Sequence, residues 1–343
     1  MMRLPLSWLL AFTTAALALL LLGSLATGPM TLTLGESLRA LFAGQESGIE
    51  SHKQLIVQEI RLPRTLLCIA VGGILGLCGA VMQGLFRNPL ADPGIIGVSG
   101  GAALGAALAI VLLAPLGQQL QATIGVGLLP LLAFLGGALT TTLVYLLGTR
   151  EGGTSVTVML LAGVAITALS GAVIGLLTYL ADDQMLRNLS LWQMGTLAAG
   201  KPADVALALL TLAALLWLFM RDANPLNALL LGEGEARHLG VNVQSLKRRL
   251  ILLTAAGVGV AVAVSGMIGF VGLVVPHLVR LLAGPNHVRL LPLSALLGAA
   301  LLLAADMLAR TLLAPAELPV GIITALLGAP FFIWLLVKGR RAL

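Results

Sequence analysis

The residues that could do chemistry are few and scattered. Asp306 and Arg310 sit four residues apart inside an apolar run, so a helix would put both on one face. Mutual neutralisation is the simplest account of such a pair; a charged relay for ion-coupled transport is the other. Of the four histidines, His52, His238 and His287 fall in polar connections, and His277 follows a proline near the end of an apolar segment. No HExxH stretch and no nucleophile–base pair occurs, which argues against an intramembrane hydrolase. Residues 195–202 read GTLAAGKP, a phosphate-binding loop except at its last place, where Pro202 replaces the Ser or Thr that would hold magnesium. Any ATP that drives this protein is therefore expected on another chain. Cys68 and Cys78 lie in one apolar segment, separated by roughly 15 Å of helical rise, too far for a disulfide.

The longest polar stretch is Arg221–Arg249, RDANPLNALLLGEGEARHLGVNVQSLKRR. A solvated loop is the bland reading. Yet Pro225 suits a helix start, Leu229, Leu230, Ala236 and Leu239 recur at roughly helical spacing, and Gly240 stands where a helix would stop. The spacing predicts one short helix over Leu226–Leu239. An apolar stripe without membrane length needs something to dock against, and a soluble partner is expected.

The surroundings are hydrocarbon. Hydrophobic residues make up 59% of the 343 and charged residues only 10%, with a mean hydropathy of +1.04. A soluble domain could not hide that much apolar surface, so the fold is expected to be an all-α polytopic membrane protein. Ten spans can be placed: Leu4–Thr27, Arg61–Phe86, Ile95–Leu113, Leu128–Leu147, Val156–Leu180, Ala203–Met220, one opened by Leu250–Val264, a short eighth after Gly266, Gly269 and Gly272, then Leu290–Leu312 and Val320–Val337. A signal peptide is the alternative for the first, but its apolar run is longer than a usual signal core. A short non-spanning helix is expected around Leu189–Leu197. The 41 glycines, many at small-xxx-small spacing, predict a tightly packed bundle.

The net charge of +6 is scattered through short loops and is no nucleic-acid footprint. With ten spans, the side that carries both termini collects thirteen of the twenty Lys and Arg residues, from Arg3 to Arg341, and the other side seven. The positive-inside rule puts the termini and the polar island in the cytoplasm. Arg61 and Arg64 fall outside, as if chosen for something other than topology.

RLPRTLL at Arg61, FRNPLADPGIIGVSGGAALGA at Phe86, LLAGVA at Leu160, GFVGLVVPHLVRLLAGPNH at Gly269 and ELPVGIITALLGAPFFIWLL at Glu317 occur in this order. Together they resemble the permease subunits of type II ATP-binding-cassette importers for iron-siderophores, haem and vitamin B12, over nearly the whole chain. The resemblance implies one transmembrane permease domain, 1–343, of the vitamin B12-importer-like fold. It implies pairing with a second copy, two ATPase subunits that carry ATP and magnesium, a periplasmic binding protein, and a place among the lipids of a bacterial inner membrane. The island, 221–249, becomes a coupling helix seated on the ATPase, with Leu229, Gly232, Glu233, Ala236, Leu239 and Gly240 at the contact. Arg61, Arg64 and Arg310 match bases that meet acids on the docked binding protein. Asn88, Leu90, Thr157 and Leu161 lie where such permeases have their cytoplasmic gate.

For the substrate, ADDQMLRNLSLWQMGTL looks most like haem permeases, with Arg187 available for propionates and Met185 and Met194 for the porphyrin. The alternative is that Arg187 lies among headgroups and the methionines fill gaps. An iron-siderophore or vitamin B12 is the runner-up cargo, and an ion-coupled secondary transporter the reading of another class.

Overall fold

The computed structural model describes residues 5–42, 51–114, 127–150, 153–198 and 200–340. Arg3 and Arg341 of the topology argument, and Ala199 of the GTLAAGKP stretch, lie outside them. The described chain is helical apart from a two-stranded hairpin, Thr149–Arg150 against Gly153–Thr154.

Helix α1 is Leu6–Ala26 and α2 Leu34–Phe42. Helix α3, Ser51–Leu55, runs through a π-helical turn, Ile56–Arg61, into α4, Leu62–Leu85. The second apolar helix thus starts about ten residues before the expected Arg61. The wider turn allows this: Pro63 has no N–H to give, and the Leu62 N–H reaches back to Val57 O. A 3-10 turn, Pro93–Ile96, precedes α5, Val98–Val111, and α6 is Leu128–Gly148. Beyond the hairpin come α7, Val156–Leu180, α8, Asp183–Gln193, and α9, Pro202–Arg221. The island holds α10, Ala223–Leu230, and α11, Glu233–His238. Helices α12, Val243–Ser265, α13, Val271–Ala283, α14, His287–Thr311, and α15, Val320–Arg340, complete the chain.

Among the described residues seven helices are long and apolar enough to cross a membrane. Three more, Val98–Val111, Val271–Ala283 and Val320–Leu335, are apolar but shorter. Each falls where a span was expected, so the order holds and the lengths do not. The expected span from Ile95 loses its start to the 3-10 turn, which ends on Gly97 at φ +85°. The eighth begins only at Val271, because Gly266–Phe270 is irregular and Phe270 itself is left-handed at φ +68°. At 1.5 Å per residue, α13 covers roughly 20 Å, short of the ~30 Å hydrocarbon core.

Helix α4 is the axis. Its apolar window is 89% buried, against 17% for α1 and α7. Glycines set how close its neighbours come. A Cβ on Gly76 would overlap the Ser294 carbonyl of α14, and one on Gly79 would overlap the Gly272 carbonyl of α13. Packing that tight puts backbone against backbone and fixes where the ends of these helices, and the polar groups on them, must lie.

Candidate functional site

At one end of the bundle the island folds onto the body. Asp222 is buried and takes Arg249 Nε at 2.8 Å, fixing the exit from α9. Pro225 occupies the first turn of α10, where no N–H is needed. The single helix expected over Leu226–Leu239 is two, because Gly232 at φ +123° breaks it. Gly240, at φ +82°, ends α11 as its position suggested, with the Val241 N–H returning to Ala236 O at 2.9 Å.

This fold divides the six expected contact residues. Leu229 and Ala236 are buried and hold the island to the body, so neither offers side chain to a partner. Leu239 and Gly240 are exposed, and Gly232 is half-buried. Glu233, also half-buried, accepts from Lys247 Nζ at 2.6 Å and has Arg237 at 3.7 Å. The outward face is completed by Leu231, 67% exposed, which sequence reasoning passed over. Its only signal was its place next to Gly232, outside the helical stripe. Asn227 ties α10 to α14: its Oδ1 accepts from the His287 N–H at 2.8 Å and faces His287 Nδ1 at 2.9 Å, while its Nδ2 donates to Asn286 Oδ1 at 3.0 Å.

The four residues expected at a gate lie at this same end. Asn88 is exposed and takes the Leu90 N–H at 2.9 Å. Asp92 Oδ1 takes the Gly94 N–H at 2.7 Å and so starts the 3-10 turn. Enclosure raises the Asp92 carboxyl above the ordinary aspartate value, and the Gly94 N–H opposes that rise. The Ile95 carbonyl presses on Gly163 of α7, which brings the loop alongside the helix that carries Thr157 and Leu161. Both of those side chains are exposed.

At the other end, the three arginines expected as surface bases are not on the surface. Arg61, Arg64 and Arg310 are each 5% exposed or less. Arg64 donates to Asp306 from Nε and, at 2.9 Å, from Nη2, and Nη1 meets Glu317 at 2.7 Å. Arg310 Nε lies 3.0 Å from Asp306 Oδ2, so the i,i+4 pair exists and is shared with Arg64. Arg61 donates to the Leu25 carbonyl at 2.7 Å and to that of Met30. Their expected exposure is corrected: internal acceptors already take these guanidinium groups, and among the described acids of the cluster Glu317, one-third exposed, opens it to solvent.

Helix α8 starts six residues before its expected place, because Asp182 Oδ1 caps it on the Met185 N–H at 2.8 Å. Met185 packs against the core, whereas Arg187, two residues on and so on the opposite face, is exposed, as is Met194. Arg187 and Met194, seven residues apart, thus share an exposed face from which Met185 turns away. Further along, the Lys201 N–H bonds the Asp204 carboxylate at 3.3 Å at the start of α9, a capping arrangement rather than a phosphate grip. Among the described residues no cluster of three or more His, Cys, Asp or Glu side chains could hold a metal.

Residues 16–338 match the FecCD transport family. The chain is 47% identical over 336 residues to the hemin transport system permease protein HmuU of Yersinia pestis, covering 97% of this chain and 96% of that one. It is 42% identical over 294 residues to the vitamin B12 import system permease protein BtuC of Vibrio cholerae, covering 86% of each. A solved inward-facing structure, provisionally described as a metal-chelate type ABC transporter, superposes with a TM-score of 0.82 at 34% identity, covering 97% of this chain and 99% of that one.

Proposed function

The chain belongs to the FecCD transport family, and on that premise we propose that it is the membrane-spanning permease subunit of an ATP-driven importer that moves haem from a periplasmic binding protein into the cytoplasm. The observation that carries the cargo is the 47% identity to a hemin permease, spread over 97% of this chain. Ten apolar helices cross a bacterial inner membrane with both termini in the cytoplasm. The chain is one domain, 1–343. ATP and magnesium belong to two partner ATPases, which meet the outward face of the island through Leu231, Leu239 and Gly240. A second copy and lipid cover the exposed apolar side of α7 beyond the gate, where Val164, Leu169 and Leu176 stand out.

The second reading keeps the mechanism and changes the cargo to a corrinoid or iron-siderophore, favoured by the 42% identity to a vitamin B12 permease. Proteoliposomes holding this chain, its ATPase and its binding protein separate the two. ATP-dependent haem accumulation that excess cobalamin leaves intact is the expected result. Accumulation of cobalamin or of a ferric siderophore instead of haem would replace the cargo, and no ATP-dependent uptake of any of the three would remove the importer reading.

A further inference from the structure

One buried cation joins the island to the start of α7. Lys247, in the first turns of α12, is 2% exposed, yet it carries an ammonium group. Its Nζ donates to Glu233 of α11 at 2.6 Å and to the Thr154 carbonyl, in the second strand of the hairpin, at 3.0 Å. The Thr154 N–H is also held from α12, by Gln244 Oε1 at 3.0 Å. Both backbone polar groups of Thr154 are thus bound by α12 side chains. The very next residue, Ser155, is the N-cap of α7, two residues before Thr157 and six before Leu161. Glu233, Lys247 and Thr154 form an unbroken polar chain from the coupling segment to the helix bearing two gate candidates.

A lysine is a costly choice for a mere packing position. Taking an ammonium out of water is unfavourable by several kcal/mol unless its partners compensate, and apolar residues of similar volume commonly serve stability as well or better. What a buried ion pair adds over apolar packing is a directional tie that holds only one arrangement. Here it ties α11 and the helix that follows it, α12, to a hairpin strand that lies 93 residues before Lys247 in the chain.

We propose that Lys247 is a positioning residue that passes displacement of α11 to the start of α7, so that the ATPase contact and the cytoplasmic gate move as one. The inference rests on the importer reading above, with the island as coupling segment and Thr157 and Leu161 at the gate.

The test places a cysteine at Leu161, which is exposed, in a chain whose buried Cys68 and Cys78 have been replaced by alanine. The complex with the ATPase is reconstituted, and the rate of maleimide labelling is measured with and without ATP and magnesium. With Lys247 present, nucleotide should change that rate by about 2- to 30-fold, the range expected for coupling through such a link. Lys247→Met, similar in length and uncharged, should keep the ATPase in the purified complex and bring the nucleotide response to none. Lys247→Gln, which keeps a donor without the charge, takes its place should the methionine variant fail to accumulate. Lys247→Arg should retain part of the response, which a purely space-filling role would not distinguish from Met. A nucleotide response that persists in both neutral variants overturns the link, and so does loss of the ATPase from them, because Lys247 would then act on docking. If the chain with Lys247 in place shows no nucleotide response although the same complex takes up cargo with ATP, Leu161 is not at the gate and the link falls; no uptake either would bring down the importer reading instead.

Discussion

Arg64 and Asp306, 242 residues apart in sequence, meet inside the bundle through two guanidinium nitrogens, and Asp306 at the same time faces Arg310 Nε at 3.0 Å. One fully buried carboxylate thus serves two buried cations, with Glu317 as the other acid in the cluster among the described residues. Asp306→Ala would leave Arg64 and Arg310 facing each other in a site with little solvent. A loss of about 3–5 kcal/mol is expected, the usual result of stripping one partner from a buried pair. Thermal unfolding in detergent measures it, and a melting temperature unchanged from the parent would mean that water reaches the cluster.

The arginines give a second expectation. Arg61→Glu, Arg64→Glu and Arg310→Glu should each lower the yield of folded protein, and the effect should not depend on ionic strength, because buried charges are poorly screened. Were these positions free docking bases, reversal would leave the melting temperature alone and weaken binding-protein affinity most at low salt. Melting curves and binding isotherms at two salt concentrations tell these cases apart.

What could be read from the sequence here, and what could not, follows from range. The Asp306–Arg310 pair was legible because four residues on a helix is a local spacing. The arrival of Arg64 on the same carboxylate was not, since it depends on α4 and α14 packing through Gly72, Gly76 and Gly298. The ten apolar runs were legible in order. Hydropathy reports composition and not backbone path, however, so the 3-10 turn at Pro93 and the irregular Gly266–Phe270 passed as parts of spans. In the island, Gly240 was legible as a stop. Gly232 was not read as a break, because a single glycine within a helical pattern is tolerated at a cost of about 1 kcal/mol relative to alanine. The hidden side of Ala236 and the exposed one of Leu231 both follow from that break.

Close approach gives the third prediction. Gly79→Ala drives a methyl group into the Gly272 carbonyl, where neither backbone can easily retreat. Overpacking of this kind costs typically about 1–3 kcal/mol. Gly35→Ala on α2 meets nothing within 4 Å and should be neutral or stabilising by about 0.5–1 kcal/mol. Paired melting curves check the contrast; equal effects would mean that α4 and α13 are further apart than described.

Asp92 gives a pH-dependent prediction. Its carboxyl value is raised in the fold, so the folded chain holds that proton more tightly than the unfolded one. Its contribution therefore falls as pH rises from the unfolded value through the folded one. Asp92→Asn keeps an oxygen for the Gly94 N–H and removes the charge, so it should match the parent at low pH and equal or exceed it at neutral pH. Asp92→Ala loses the cap and about 1 kcal/mol at either pH. Melting temperatures at pH 4 and pH 7.5 supply the comparison, and an asparagine variant less stable than the parent at pH 7.5 would show that the ionised carboxylate is favoured in this loop.

The island supplies the last prediction, and the burial of Ala236 changes which variant is informative. Ala236→Trp would push a large ring into the packing between α11 and the body, so a loss of transport from it would report a displaced island and not a lost contact. Gly240 is the better probe. It is exposed and holds φ +82°, and a methyl group added to it would meet nothing within 4 Å. Gly240→Val therefore costs on the order of 1–2 kcal/mol through the backbone alone, as a β-branched residue resists the left-handed region. The spans that carry insertion are untouched, so expression in the membrane should be normal. Distortion confined to Arg237–Val241 should lower ATPase association or binding-protein-stimulated hydrolysis several-fold if that turn lies in the contact. Gly240→Asn, which tolerates the same backbone, should restore most of it, because the defect is conformational and not one of bulk. Co-purification and uptake measured on the same preparations decide the matter: normal values for the valine variant would take the end of α11 out of the ATPase contact, and an asparagine variant as poor as valine would mean that a partner backbone rests directly on Gly240.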